Sequence, residues 1–274
     1  MIVLAAEKKK GKVLHMNQNI HETAIVADGA KLAKDVKVGP YSIIGENVEI
    51  GEGSVIGPHV VIKGWTTIGK NNEISHGASI GFEPQDLKFN GEKTYLFIGD
   101  NNIIREYVTL HRGTADGGAE TRIGNDNLIM AYCHVAHDCH LGSNIVMSNG
   151  TNLAGHVTIE DSAVVSGMTG IHQFVRVGKM SMVGAHSKVV KDVPPYILVD
   201  GHPAGVNGIN VVGLRRNGIS PELRKEIKRA YKILYRSKLN IADAIEKMDQ
   251  ELDASQEIEH FLRFLRNASR GICR

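Results

Sequence analysis

Residues 43–57 read IIGENVEIGEGSVIG, with isoleucine at 44, 50 and 56 and a glycine directly after each. Extended outward, the same six-residue phase holds at Ile20, Val26, Leu32, Val38, Ile62, Ile68, Ile74 and Ile80. It resumes after an interruption at Ile98, Ile104 and Leu110. A second interruption shifts the phase by one residue. The period then runs through Ile123, Ile129, Val135, Leu141, Met147, Leu153, Ile159, Val165, Ile171, Val177, Val183 and Val189. Two positions before each aliphatic stands a small or β-branched residue, as at Ala24, Ala30, Val36, Ser42, Val48 and Ser54.

A helix turning every 3.6 residues does not generate a period of six, and a plain alternating strand needs no turn-friendly residue at that interval. Short strands with a corner every sixth residue do account for it. They wind into a triangular coil of about eighteen residues, with each repeated aliphatic pointing into a continuous inner stack. Successive coils should lie about 4.8 Å apart, the ordinary spacing of hydrogen-bonded strands. The expected fold is an all-β solenoid, a parallel β-helix of hexapeptide repeats, a repeat class that is typically left-handed. Two segments must leave the coil: Glu83–Thr94 (EPQDLKFNGEKT) and Gly113–Glu120 (GTADGGAE). Loops ejected from a rigid solenoid often carry function.

The period ends at Pro194-Pro195, where two missing N–H groups prevent regular pairing. A Gly-rich passage runs to Gly218. Ser220-Pro221-Glu222 then reads as a helix start, with cap, first-turn proline and acidic residue in order. Leu223, Ile227, Tyr231 and Leu234 form a helical stripe to about Ser237, and further helices fit Ile241–Leu252 and Gln256–Arg266. The expected organisation is an N-terminal extension at 1–15 with Met16 as a plausible start, a β-helix over 16–205, and a C-terminal α-helical domain over 206–274.

Thirty glycines without a collagen-like period, one tryptophan (Trp65) and a net charge of +2 suit a core of small aliphatic layers. No apolar run approaches the roughly 20 residues of a membrane helix. The apolar N-terminal run precedes its lysines, the reverse of a secretory signal. Cys133, Cys139 and Cys273 are too few and odd in number for a disulfide framework. They fit a reducing, cytoplasmic compartment. Between Leu214 and Lys238 lie Arg215, Arg216, Arg224, Lys225, Lys228, Arg229, Lys232, Arg236 and Lys238 against Glu222 and Glu226. That stretch is either a solvated helix face or a docking patch for an acidic partner or phosphate. No nucleic-acid-binding motif or aromatic stacking platform accompanies it.

The densest reactive cluster is Cys133-His134-Val135-Ala136-His137-Asp138-Cys139-His140. Its composition suggests zinc, but residues six apart fall on different faces of the triangle and cannot converge on one ion. Residues about eighteen apart stack instead. His137, His156 and His172 should therefore lie along one edge, about a coil apart, with His134 nearby. Asp138 offers a carboxylate to an imidazole, whose ordinary pKa near 6.5 lets it take a proton at neutral pH. There is no G-x-S-x-G elbow, phosphate-binding loop or dinucleotide fingerprint. Nothing local marks Cys139 as a thiolate. General-base group transfer is the chemistry these residues favour.

At these residues the chain resembles the UDP-N-acetylglucosamine 3-O-acyltransferase family, which carries out the first step of lipid A biosynthesis. The likeness spans about residues 17–272 and rests on PQDLKF (84–89), IREYVTLHRGT (104–114), HVAHDC (134–139), LAGHV (153–157), HQF (172–174), DVPPY (192–196), GINVVGLRR (208–216) and RAYKILYRS (229–237). The resemblance implies transfer of an (R)-3-hydroxyacyl group from acyl carrier protein to the sugar 3-hydroxyl. His137 would be the general base, supported by Asp138, and the Gly155 N–H would stabilise the oxyanion. Asp86 and Lys88 would grip the sugar and its phosphates. His134, His156, His172 and Gln173 would complete the pocket, and Asn210 and Arg216 would help bind nucleotide or donor.

The resemblance further implies a homotrimer with active sites between adjacent β-helices. It implies no metal and no cofactor beyond the phosphopantetheine carried by the acyl carrier protein. The basic C-terminal face would receive that protein. Ala185 stands where glycine admits a long acyl chain in some members, which points to a shorter one here. Val212 replaces an acidic residue found in some members, Asn217 a basic one and Pro203 a histidine. Two other functions share the fold. A related N-acyltransferase of 3-amino sugar nucleotides usually carries an N-terminal uridine-binding domain, for which residues 1–19 leave no room. A trimeric β-helix can also be a zinc carbonic anhydrase.

Overall fold

The computed structural model describes residues 19–274, so the expected extension at 1–15 and Met16 lie outside the described residues. Three sheets of nine, eight and ten strands, parallel except for the last pair of the third, form the sides of a prism. Face one runs from Ile25–Val26 through Ser79–Phe82, Thr109–His111, His134–Val135, Asn152–Leu153 and Gly170–Ile171 to Lys188–Val189. Face two begins at Lys31–Leu32 and ends at Arg176–Val177, and face three begins at Lys37–Val38. Most strands hold two residues, the first facing out and the second buried. The six-residue period is therefore one buried aliphatic per side, as the sequence predicts.

The aliphatics stack in columns. On face one Ile44 pairs with Ile62, Ile62 with Ile80, Ile80 with Leu110, and Leu110 with Val135. The column continues to Leu153, Ile171 and Val189, all of them buried. Glycine follows the period where coils approach most closely: a Cβ on Gly51 would lie 2.7 Å from the Gly69 backbone. One interior corner is polar and satisfied. Asn102 donates to Asn72 Oδ1 at 3.0 Å, while Asn102 Oδ1 accepts from the Asn127 N–H at 3.0 Å. Such a ladder meets backbone groups that a turn leaves unpaired.

The two interruptions are insertions at one and the same corner, between faces one and two. Partners 18 apart elsewhere are 30 apart across the first loop and 25 apart across the second. The loops thus add about 12 and about 7 residues to their coils. Twelve preserves a six-residue phase and seven moves it by one, which is the shift seen in the sequence.

Beyond the coil, Ile197–Gly201 joins face three and pairs antiparallel with Ala204–Ile209, so a strand crosses the domain boundary expected at 205–206. Helix α1 (Val211–Arg216) follows, then α2 (Pro221–Arg236), α3 (Ile241–Glu251) and α4 (Gln256–Arg266). Ser220 caps α2 as predicted, accepting from the Leu223 N–H, and Ser255 caps α4, accepting from the Ile258 N–H. Helix α4 is moored to face two: His260 Nε2 lies 2.7 Å from Glu160, and the Arg176 guanidinium sits 4.1 Å from the Phe264 ring centre. Among the described residues no helix is long and apolar enough to cross a membrane.

Ile104 is fully buried mid-column, with Ile74 and Ile129 as register partners. Ile104→Ala should cost about 2–5 kcal/mol of stability, read from the urea midpoint at constant slope. A loss below about 1 kcal/mol would show that the column is not a packed core.

Candidate active site

The corner that ejects both loops also carries the chemistry. Three strands of face one enter it in succession, and the residues after them turn the chain toward face two. Along this corner lies an open groove of about 550 Å³, lined by His134, His137, Gly155, His172 and Gln173 among others. Gln85 of the first loop closes one side.

Coil register decides which side chains meet. Asp138, His156 and Phe174 occupy equivalent corner positions, all with left-handed φ near 60°. His137 lies below Gly155, and Gln173 above it. A Cβ on Gly155 would lie 2.6 Å from the His137 ring, so only glycine lets the imidazole fit beneath that coil. His137, His156 and His172 therefore share the corner as expected, but from three adjacent columns. Their spacings of 19 and 16 residues straddle the coil's 18. His156 stacks on Phe174 at 4.4 Å and meets His137 edge-on at 5.2 Å.

His137 Nδ1 lies 2.6 Å from Asp138 Oδ2. Asp138 is 2% exposed and His137 opens to the groove. The carboxylate also accepts from the Thr114 N–H at 2.8 Å and the Thr114 hydroxyl at 2.7 Å. Burial opposes its charge, but the bonds from His137 and Thr114 outweigh it and hold the carboxyl below its usual range. An ionised Asp138 binds the proton on His137 Nδ1, which leaves Nε2 as the basic atom. The Gly155 N–H donates to no acceptor among the described residues.

Neighbouring histidines are held neutral. Burial pushes His134 down to about 4, helped by His111 and His137, and its Nδ1 lies 2.7 Å from Thr109 Oγ1. Burial also lowers His156, although Asp138 and Asp86 pull the other way. Burial raises Cys133 to about 11 and Cys139 to about 12, so neither is a thiolate nucleophile.

His137, Asp138 and His156 each bring one possible metal-ligand atom within 4.8 Å of the others. Two ligands on tetrahedral zinc with bonds of about 2.0–2.1 Å stand roughly 3.3 Å apart. The 2.6 Å between His137 and Asp138 suits a shared proton instead. As expected, His134 and His140 lie on different faces.

The other predicted residues are more dispersed. Asp86 lies on the first loop near enough to influence His156, and its Oδ1 accepts from the exposed Lys88's own N–H at 3.0 Å. Asn210 is buried: its side chain caps α1 by accepting from Gly213 and donates to Met180 O at 2.9 Å. Arg216 ends α1 and Ala185 sits on the corner between faces three and one; both are exposed and neither lines this groove. Val212 is exposed on α1, and Pro203 follows a cis peptide bond in the terminal hairpin. Sequence reasoning missed Asn152 and Lys188, which adding 18 and 54 to the number of His134 would have found, and also His111 and Thr114.

A family described as Udp N-acetylglucosamine O-acyltransferase, Domain 2, matches residues 192–273, and bacterial transferase hexapeptide repeats match 47–81 and 120–155. An acyl-[acyl-carrier-protein]–UDP-N-acetylglucosamine O-acyltransferase of Thiobacillus denitrificans is 52% identical, over 93% of this chain and 99% of that protein. The chain belongs to the UDP-N-acetylglucosamine O-acyltransferase family. Solved members superpose closely. LpxA of Acinetobacter baumannii aligns with a TM-score of 0.91 at 44% identity, covering 93% of this chain and 100% of that one. The Francisella novicida UDP-N-acetylglucosamine acyltransferase gives 0.90 at 44%, covering 93% and 94%. The acyltransferase family thus accounts for the whole β-helix and the helices after it.

The low value of His134 has a consequence for stability. The unfolded chain takes up a proton near the ordinary 6.5 that the folded chain resists until about 4, so folding weakens as pH falls through that interval. His134→Gln should therefore lose less melting temperature than the unsubstituted protein between pH 7 and about 4.5. Equal losses would mean that His134 is not held neutral.

Proposed function

We propose that this protein transfers an (R)-3-hydroxyacyl group from acyl carrier protein to the 3-hydroxyl of UDP-N-acetylglucosamine, the first step of lipid A biosynthesis. The observation that carries this reading is the buried Asp138–His137 pair opening into a groove beneath Gly155, in a chain whose relatives bear that name. Those relatives are O-acyltransferases, which favours a hydroxyl acceptor over a 3-amino one.

His137 Nε2 takes the 3-hydroxyl proton as that oxygen attacks the thioester carbonyl. Charge passes to the carbonyl oxygen, where the Gly155 N–H donates to it. Collapse forms the ester and breaks the C–S bond, and the departing phosphopantetheine thiolate recovers the proton from His137. Asp138 stabilises the transient imidazolium without taking its proton. The donor's phosphopantetheine is part of the substrate, and the chemistry requires no further cofactor.

Asp86 and Lys88 are assigned to the sugar and its phosphates, with His134, His156, His172 and Gln173 completing that subsite. The groove is open on its outer side, so a neighbouring chain in a homotrimer is its natural second wall. In that arrangement Asn210, through the α1 turn it caps, and Arg216 serve a neighbour's nucleotide or donor, which explains why they do not line their own groove. Ala185 narrows the acyl path toward shorter chains. Carrier proteins of this kind are acidic, and the exposed Lys225, Lys228 and Lys232 on α2 offer the complementary surface. Three free, buried cysteines fit a cytoplasmic enzyme.

His137→Ala should lower turnover of UDP-N-acetylglucosamine with (R)-3-hydroxyacyl carrier protein by about 10²–10⁴, without changing the thermal transition. Turnover near that of the unsubstituted protein would contradict the reading.

A further inference from the structure

The second ejected loop, which leaves the coil after His111 and rejoins it at Glu120, closes over the Asp138 carboxylate. Thr114 supplies two donors at once, its N–H to Oδ1 at 2.8 Å and its hydroxyl to Oδ2 at 2.7 Å. Thr114 is 6% exposed, so water does not replace these bonds. Across the loop, Gly117 lies against the same carboxyl group. A Cβ there would stand 2.1 Å from the carboxyl carbon and 2.3 Å from both oxygens. Where the chain rejoins the coil, Thr121 Oγ1 accepts the Asp138 N–H at 2.8 Å. The loop thus contacts the carboxylate at two of its residues, and the strand after it secures the Asp138 backbone.

We propose that Thr114 is a positioning residue for acyl transfer, and that the second loop serves to clamp the Asp138 carboxylate in one rotation. This rests on the reading of His137 as the general base. A carboxylate held by one imidazole can turn about its final torsion, a broad and nearly two-fold one. Turning takes Oδ2 off the line to His137 Nδ1, and the imidazole then loses its preference for carrying the proton there. Each molecule in that state has lost the Nε2 lone pair facing the groove. Two donors from one residue, one on each oxygen, stop the rotation. Gly117 lets the loop descend far enough to deliver them. Thr114 touches no reacting atom and acts through Asp138.

Steady-state kinetics on Thr114→Val, Thr114→Ser, Asp138→Ala, the Thr114→Val/Asp138→Ala double variant and His137→Ala test this. Thr114→Val keeps the side-chain shape and removes the hydroxyl donor. A lost hydrogen bond to a charged group corresponds to a fall in kcat of about 10- to 100-fold, with KM for UDP-N-acetylglucosamine moving less than about twofold. Thr114→Ser should restore most of the turnover. In the Asp138→Ala background, Thr114→Val should cost less than about twofold more, because nothing remains to be positioned. Should Thr114→Val fail to fold, Thr114→Cys, with its weak donor, should fall between valine and serine.

Turnover in Thr114→Val near that of the unsubstituted protein would overturn the proposal. So would losses that multiply in the double variant, or no rescue by serine. His137→Ala separates the two claims. If it stays active, the general-base reading fails. If it is dead while Thr114→Val is unimpaired, only the positioning role fails.

Discussion

Backbone hydrogen bonds between successive coils set the spacing of the side chains that meet at the proposed active corner. At the active corner they run from the Ala136 N–H to Leu153 O at 3.3 Å, from Ala154 to Ile171 at 3.0 Å, and from His172 to Val189 at 2.9 Å. A slip of one residue in any of these would swap buried and exposed side chains and part His137 from Gly155. The aliphatic columns resist that slip, because each slip would expose a stacked isoleucine or valine to water. The core therefore does more than hold the chain together: it positions the proposed catalytic groups, which come from residues far apart in sequence.

Within that frame the electrostatics follow from unequal solvation. Asp138 stays ionised in a buried place because His137 and Thr114 supply donors that replace water. His134 meets Thr109 and other histidines, and burial keeps it neutral. One imidazole is thus paired with a buried anion while burial lowers His134 and His156. On the proposed reading, that difference in surroundings sets His137 apart from the histidines assigned to the sugar.

Much of this was legible in the sequence, and the remainder was hidden for physical reasons. The six-residue period set the three faces and both ejected loops, because a solenoid repeats one local geometry. Cap chemistry at Ser220 placed the start of α2, and the spacing of Ile258, Leu262 and Leu265 placed α4. Helix α1 went unseen because it is six residues long, contains Gly213 and starts at an Asn210 that looked like a ligand contact. Counting along the period brought His137, His156 and His172 to one corner, and counting by 18 separates their columns. Thr114 could not be found in this way. It lies on an excursion whose path no period governs, and only its descent onto Asp138 gives it a role. Arg216 and Ala185 are legible through family likeness alone, since one chain does not bring them to its own groove.

The central claim is that a clamped Asp138 fixes the proton of His137 on Nδ1 and leaves Nε2 free as the base. Nitrogen-15 NMR of histidine-labelled protein near neutral pH tests it most directly, with the His137 signals assigned from their loss in His137→Gln. The account predicts a protonated Nδ1 and an unprotonated Nε2. A protonated Nε2, with Nδ1 bare against Asp138, would contradict it.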